Sequence, residues 1–378
     1  MQYRRFGQTG LSLSVFSLGT MRYLADPEMA YNTLVRAVEL GVNHLETAQG
    51  YGNSEIYLGQ ALQRGLPRSR EQLVVATKIA PQPDAQSMQA AIQRSLERLG
   101  VSYIDCLGIH GLNTWEHLQW ITDPQGCMVA VRAAIAAQQV RHVGFSTHGS
   151  LELILAAIQT HFFEFVNLHY TLLFQHNAPA VALAATKDMG VFIISPADKG
   201  GNLYTPPPTL AKLCAPLDPL HLNARFLLSQ PSITTLSVGP ACPEELDWPL
   251  AVADQTEPLT QNEQVILERL AQHQVQALGS DLCEQCYQCL PCPEDIHIPE
   301  VLRLRNLAVA YGMTEFGRYR YRMFENAGHW FPGRKGNHCT DCGDCLPKCP
   351  VSLPIPDLLR DSHERFQGAP RPRLWESI

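Results

Sequence analysis

The sequence has no apolar run that approaches the roughly 20 residues of a membrane helix, so no spanning segment is expected. A basic excess is also missing. Lys and Arg number 29 against 36 Asp and Glu, and the formal charge of −7 gives no ground for a nucleic-acid or membrane partner. Nor is there an apolar leader: Met1 to Phe6 runs directly into polar and turn residues, so a reducing cytoplasm is the expected setting, where disulfides are rare. At 378 residues the chain can hold one large barrel plus a small domain.

Cysteine is present in a pattern. Cys283, Cys286, Cys289 and Cys292 are followed by Pro293, and Cys339, Cys342, Cys345 and Cys349 by Pro350. The second run has the bacterial ferredoxin spacing, and the first lacks only one residue before its last Cys. Two 4Fe-4S clusters are the expectation. Structural zinc and disulfides are the competing readings, but zinc pairs usually come as separate Cys-x-x-Cys knuckles. The likeness to two-cluster ferredoxins implies that each fourth Cys serves the other run. That assigns Cys283, Cys286, Cys289 and Cys349 to one cluster, and Cys339, Cys342, Cys345 and Cys292 to the other. Cys106, Cys127, Cys214 and Cys242 show no ligand spacing and are read as free packing thiols.

Along the chain, two short strand-like stretches flank Gly7-Gln8-Thr9-Gly10 as a hairpin. Eight apolar strand candidates follow, at 16–18, 44–46, 73–78, 104–109, 142–146, 165–168, 191–195 and 234–238. Helix candidates at 29–40, 54–63, 86–99, 128–137, 151–160, 178–189 and 219–228 lie between them, with 243–253 expected as the helix after the eighth strand. Gly41, Gly100 and Gly190 read as helix stops. This alternation fits a TIM barrel or a doubly wound open sheet. After a linker at 254–258, Thr260 and Glu263 form a capping box for a further helix stopped by Gly279. Helices at 298–310, 314–326 and 356–366 and an irregular tail from Gly368 complete the expectation. The expected division is a barrel at 1–255, linker and helix at 256–279, and an α-helical ferredoxin-like domain at 280–378.

Polar residues gather where strand candidates end: Glu46, Tyr51 shortly after it, Lys78 and His110. Taken with Gly19-Thr20-Met21, the stretch from Gly41 to Glu55, Thr77-Lys78 and Ile109-His110, the chain resembles the aldo/keto reductase family from Met1 to about Ala253. It looks most like the branch with a C-terminal ferredoxin-type extension. The resemblance implies the TIM barrel over the open sheet, and a catalytic tetrad of Tyr51, Lys78, His110 and Glu46. A carbonyl accepting hydride needs a proton, so Lys78 would lower the Tyr51 pKa, His110 would orient the carbonyl, and the carboxylate would pair with Lys78. The family usually has Asp where Glu46 stands. A vestigial tetrad, with Glu46 in a mere internal salt bridge, is the bland alternative.

The resemblance also implies an NADP or NAD site. Ser146, Thr147 and Asn167 match the carboxamide positions, with Ser195, Lys199 and Gly239 as further contacts. The family's stacking Tyr falls near Ile194, and its Arg for the 2′-phosphate near Glu245, where a carboxylate would repel that phosphate. Lys199 could replace the charge, or be a solvated lysine in a glycine loop.

The functional expectation is a nicotinamide-dependent oxidoreductase acting on a small carbonyl or alcohol and coupled to the clusters. Clusters pass single electrons while nicotinamide moves a hydride, and a flavin that could convert between them is supported by no motif. An electron-transfer protein with a degenerate barrel, or a reductase with structural clusters, are the alternatives. A ferredoxin-type carrier could dock on the basic segment of Arg318, Arg320, Arg322, Arg334 and Lys335, although pairing with Glu315 and Glu325 would account for it slightly better.

Overall fold

The structure is a computed structural model that describes residues 1–22 and 26–369. The tail expected to be irregular lies, from residue 370, outside the described residues. The chain forms two compact units, Met1–Gly200 with Asn223–Pro258, and Gly201–Leu222 with the chain from Leu259 onward. This grouping differs from the expected division, since 201–222 and the helix after Thr260 fall with the C-terminal residues.

In the first unit, β1 (Tyr3–Arg5) and β2 (Ser12–Ser14) form an antiparallel hairpin. Eight parallel strands then close a barrel in sequence order: β3 (Phe16–Gly19), β4 (His44–Glu46), β5 (Val74–Ile79), β6 (Ile104–His110), β7 (Val140–Ser146), β8 (Phe165–Leu168), β9 (Gly190–Ile193) and β10 (Thr235–Val238). Pairing of β10 with β3 completes the closure that the resemblance implied. The strands are almost wholly buried because helices cover them outside and side chains fill the interior, so they read as apolar runs without alternation.

The hairpin fills one end of the barrel. Phe6 and Leu13 pack with Val74, Ala76, Cys106, Phe165 and Phe192. Gly190 is the first residue of β9, not a helix stop. A Cβ there would lie 2.2 Å from the Phe6 ring, so the position needs glycine for close packing.

Between the strands lie α1 (Pro27–Glu39), α2 (Ser54–Arg64), α3 (Ala85–Leu99), α4 (Trp115–Thr122), α5 (Met128–Ala136), α6 (Leu151–Gln159) and α7 (Ala178–Thr186). The Asp84 side chain caps α3, Gly100 ends it in the left-handed region, and its buried stripe is Met88, Ala91, Ile92, Ser95, Leu96 and Leu99. Ala90, although apolar, lies off that stripe and is exposed.

A helix over 243–253 does not form. Pro249 inside such a helix would remove a backbone donor and clash with the preceding turn. The segment is instead a 3-10 turn, Pro243–Leu246, and one short helical turn, Asp247–Leu250.

The second unit contains α8 (Pro208–Cys214), and the division between units falls within α9 (Pro219–Leu228). Counting Asp247–Leu250 as α10, the later helices are α11 (Gln261–Leu278), α12 (Ile298–Tyr311), α13 (Thr314–Tyr321) and α14 (Ile355–Phe366). The Thr260–Glu263 capping box forms on α11.

Helix α12 is buried nearly all round, so its charges must be paired inside. Arg303 forms two 2.7 Å contacts with Glu300, and Arg305 reaches Asp361 at 2.7 Å and Asp281 at 3.0 Å. Helix α13 stops at Tyr321, short of the expected Asn326. Glu325, at φ 69°, sits in a conformation no α-helix accepts. Among the described residues no helix is long and apolar enough to cross a membrane.

Candidate functional sites

Barrel strands deliver side chains to their C-terminal ends. Glu46 ends β4, Lys78 lies late in β5, His110 ends β6, and Tyr51 sits on the turn after β4 with its amide bonded to the Ala48 carbonyl at 3.0 Å. These four come together. Lys78 Nζ is 2.5 Å from Glu46 Oε1, donates to the Thr47 carbonyl at 2.8 Å, and lies 4.9 Å from the centre of the Tyr51 ring. Tyr51 and His110 meet edge to face at 5.5 Å. The longer Glu46 side chain also accepts from Asn167 Nδ2 at 3.2 Å.

Burial holds the Tyr51 phenol well above its ordinary pKa, and the Glu46 carboxylate adds to the rise. That is opposite to the expected lowering by Lys78. The reason is that removing the phenol from water disfavours its anion, and the Glu46 carboxylate repels that anion further.

The residues matched to nicotinamide contacts are unequal. Thr147 Oγ1 is engaged, donating to the Leu112 carbonyl at 2.7 Å and accepting from Gly149 at 2.9 Å. Ser146 Oγ accepts from the Gly111 amide at 3.2 Å. Asn167 Oδ1 is buried without a hydrogen-bond partner, an acceptor that suits a carboxamide N–H. Gly239 leaves open space, since a Cβ added there would meet nothing nearer than the Gly19 carbonyl at 3.9 Å. Ser195 is half-buried at φ 49°, and its carbonyl accepts from the Lys199 amide at 3.1 Å.

Glu245 does not stand alone as a repelling charge. Arg22 grips both its oxygens, at 2.5 and 3.2 Å, and the Ala241 amide donates to it at 2.9 Å. Sequence reasoning missed Arg22, and also His148 and His169. His169 Nε2 is 3.1 Å from His148 Nδ1, and Lys199 Nζ is 3.5 Å from Nε2 of each ring. Their only sequence signal was position, just beyond strand ends.

In the second unit the cysteine runs line two voids. One, of about 350 Å³ with its open mouth, is bounded by Cys283, Cys286, Cys289 and Cys349 against Pro299, Leu302 and Leu353. The other, of about 360 Å³, is bounded by Cys292, Cys339, Cys342 and Cys345 with Cys289 at its edge. Among the described residues no group of three or more His, Cys, Asp or Glu side chains is gathered around a single ion-sized point. Burial pushes the Cys289 thiol up to about 12 and raises Cys283 and Cys345. Such sulfurs become thiolates on a cationic iron core, and an apolar cage walled by sulfur fits one.

The basic segment is largely compensated. Arg318 pairs with Glu315 at 2.5 Å and Lys335 with Glu325 at 3.2 Å, while buried Arg320 lies over Phe331. Of the other thiols, Cys106, Cys127 and Cys214 are buried and Cys242 is partly exposed.

The aldo/keto reductase family model matches residues 16–204 and the 4Fe-4S dicluster domain model residues 282–353. The chain is 30% identical over 168 residues to the NADH-specific methylglyoxal reductase of Escherichia coli, covering 36% of this chain and 49% of that protein. It is 26% identical over 164 residues to the L-glyceraldehyde 3-phosphate reductase of the same organism, covering 39% and 46%. It thus spans less than half the length of these relatives. A putative aldo-keto reductase structure from Pseudomonas aeruginosa is similar at TM-score 0.55 and 25% identity, over 67% of this chain and 94% of that one. Aldo-keto reductase AKR11C1 from Bacillus halodurans shares the fold at TM-score 0.61 and 22% identity, over 71% and 96%. By its barrel and its family match the chain belongs to the aldo/keto reductase family, extended by a 4Fe-4S dicluster domain.

Proposed function

We propose that the barrel interconverts a small carbonyl and its alcohol with NAD or NADP, and that the C-terminal unit holds two 4Fe-4S clusters that exchange electrons with a carrier. The observation that carries the barrel reading is the buried Lys78–Glu46 pair beside the edge-to-face contact of Tyr51 and His110. When bound, the dinucleotide supplies hydride, and Asn167 Oδ1 is the acceptor that would hold its carboxamide.

Tyr51 is the proton donor. Its raised pKa keeps the phenol protonated through the neutral range, and an alkoxide is a stronger base than phenolate, so the transfer runs toward the substrate. Lys78, anchored by Glu46 and the Thr47 carbonyl, stabilises the phenolate that results. His110 sets the direction of the carbonyl oxygen.

In the second unit the ligand sets follow the two voids. Cys283, Cys286, Cys289 and Cys349 hold one cluster, and Cys292, Cys339, Cys342 and Cys345 the other. When bound, these groups supply one-electron transfer.

Tyr51→Phe tests the barrel. With methylglyoxal among a panel of short aldehydes, turnover should fall by roughly 100-fold or more while dinucleotide affinity stays within about threefold. Unchanged turnover would remove Tyr51 from the mechanism.

A second reading, in which the barrel is a docking body without catalysis, is favoured by the engaged Thr147 hydroxyl and by Glu46 holding both Lys78 and Asn167. Failure of the intact protein to bind either dinucleotide in a calorimetric titration would support it.

A further inference from the structure

Of the four residues gathered at the catalytic end of the barrel, Glu46, Lys78 and His110 lie on strands, whereas Tyr51 stands on the turn between β4 and α2. A strand holds its side chains through the ladder; a turn needs anchors of its own. Toward β5 those anchors are backbone bonds: the Thr47 amide donates to the Ala76 carbonyl at 2.8 Å, and the Gln49 amide to the Lys78 carbonyl at 2.9 Å. Gly52, the residue after Tyr51, bends the chain at φ 55°.

The remaining anchors are side chains. Lys78 points into the barrel to meet Glu46, so its neighbour Thr77 points outward, toward α2. There Thr77 Oγ1 donates at 2.7 Å to Oε1 of Glu55, in the first turn of α2. The other oxygen of Glu55 lies 3.2 Å from Arg98 Nε, an ion pair without the alignment of a hydrogen bond. Arg98 Nη2 in turn donates to the Gly52 carbonyl. Helices α2 and α3 are pressed together here, since a Cβ on Gly59 would lie 2.6 Å from the Leu99 carbonyl, and this gives Arg98 a fixed base. A chain of contacts thus runs from β5, one residue from Lys78, through Glu55 and Arg98 to the residue after Tyr51.

Glu55 is fully buried. Replacing a buried ion pair by apolar residues of like volume is often neutral or stabilising, so stability alone does not account for a charged link at this place. Its two ends do: one holds the strand of the ammonium, the other the turn of the phenol.

We propose that Thr77, Glu55 and Arg98 are positioning residues that hold the Tyr51 phenol at its working distance from Lys78. The kinetic consequence rests on the reductase reading; the mechanical one, a turn held rigid from β5 and α3, does not. A misplacement of about 1 Å costs roughly 100-fold in rate, so a clamp that touches no substrate still bears on turnover.

Thr77→Val keeps the volume and removes the donor, while Thr77→Ser keeps the donor. In the intact protein with methylglyoxal, Thr77→Val should lower kcat by roughly 10-fold or more with dinucleotide affinity within about threefold, and Thr77→Ser should restore kcat to within about threefold. In a Tyr51→Phe background the same Thr77→Val change should alter the residual rate by less than about threefold, because its effect passes through the phenol. Hydrogen exchange followed by mass spectrometry supplies a readout without turnover: amides of residues 47–58 should exchange roughly tenfold faster in Thr77→Val than in wild type or Thr77→Ser. Should Thr77→Val not fold, Arg98→Met, at a partly exposed side chain, releases the other end of the clamp and carries the same expectations.

Faster exchange in a protein whose wild type turns over no carbonyl supports the clamp and removes the reductase reading alone. Unchanged exchange overturns the proposal, and so does faster exchange with kcat unchanged in an active enzyme. An equal loss of rate with and without the Tyr51 hydroxyl, or a loss that Thr77→Ser does not restore, overturns it as well, since either would mark the contacts as general support of the fold.

Discussion

Gln285 lies between two cysteines of the first run at φ 60°, with its amide nitrogen 3.2 Å from Cys283 Sγ and 3.0 Å from the Pro299 carbonyl. The Leu353 amide approaches Cys349 Sγ at 3.4 Å. Hydrogen bonds to ligand sulfur stabilise the more negative, reduced cluster and raise its potential. At the other void, Cys339 Sγ has the Asp341 carboxylate 4.0 Å away, itself held by Arg360. The two clusters should therefore titrate separately, and Gln285→Leu should lower the midpoint of one while leaving the other in place. An anaerobic redox titration followed by electron paramagnetic resonance reads this directly; two midpoints both indifferent to the substitution would refute it. Residue-level chemistry was partly legible. The cysteines declared themselves by spacing, and Glu46 by departing from its family's Asp. Its bond to Asn167, 121 positions away, and the grip of Arg22 on Glu245 across 223 positions were not, because no local pattern encodes a meeting made by barrel closure.

At the scale of elements, β4 carries a polar side chain into the barrel interior. His44 is buried between Phe6 and Phe192, its Nδ1 2.6 Å from Ser17 Oγ and its Nε2 without a hydrogen-bond partner. Burial, aided by Lys78, lowers its pKa to about 3. Between pH 6.5 and 3 the unfolded chain then binds a proton that the folded barrel refuses, so stability rises with pH there and is lost as pH falls through that window. The ceiling on this loss is about 5 kcal/mol. His44→Leu should flatten the melting temperature against pH in this range relative to wild type; parallel curves would show that the histidine is not the group responsible. Strand positions were legible because strands buried on both faces read as continuous apolar runs. Helices α4 and α8 escaped notice because, at eight and seven residues, they offer barely two turns of periodicity. The 243–253 segment misled because its apolar residues outweighed Pro249 in the reading, whereas in the chain the proline decides.

Across the whole molecule, the ligand assignment makes the two cysteine runs mutually dependent. Iron should reach about eight per chain after anaerobic reconstitution. Cys349→Ser should cost about half of it, and the resonance signal it abolishes should be the one lost in Cys283→Ser, not the one lost in Cys339→Ser. The opposite match would mean that each run keeps its own fourth ligand. The alternation of strands and helices made the barrel legible up to its choice over an open sheet, which the resemblance supplied. The grouping of 201–222 with the C-terminal residues was invisible, since nothing in a loop's composition says which distant helix it will pack on.

That grouping has a consequence for order of synthesis and for truncation. Helix α8 leaves the ribosome well before α11, whose Arg269 donates to the Leu213 and Ala215 carbonyls and against which α8 packs. Until then Leu210 and Cys214, buried in the finished chain, have no cover from α11. A protein cut after Pro258 would be left permanently in that state: a barrel trailing an apolar flap, prone to self-association for reasons unrelated to iron.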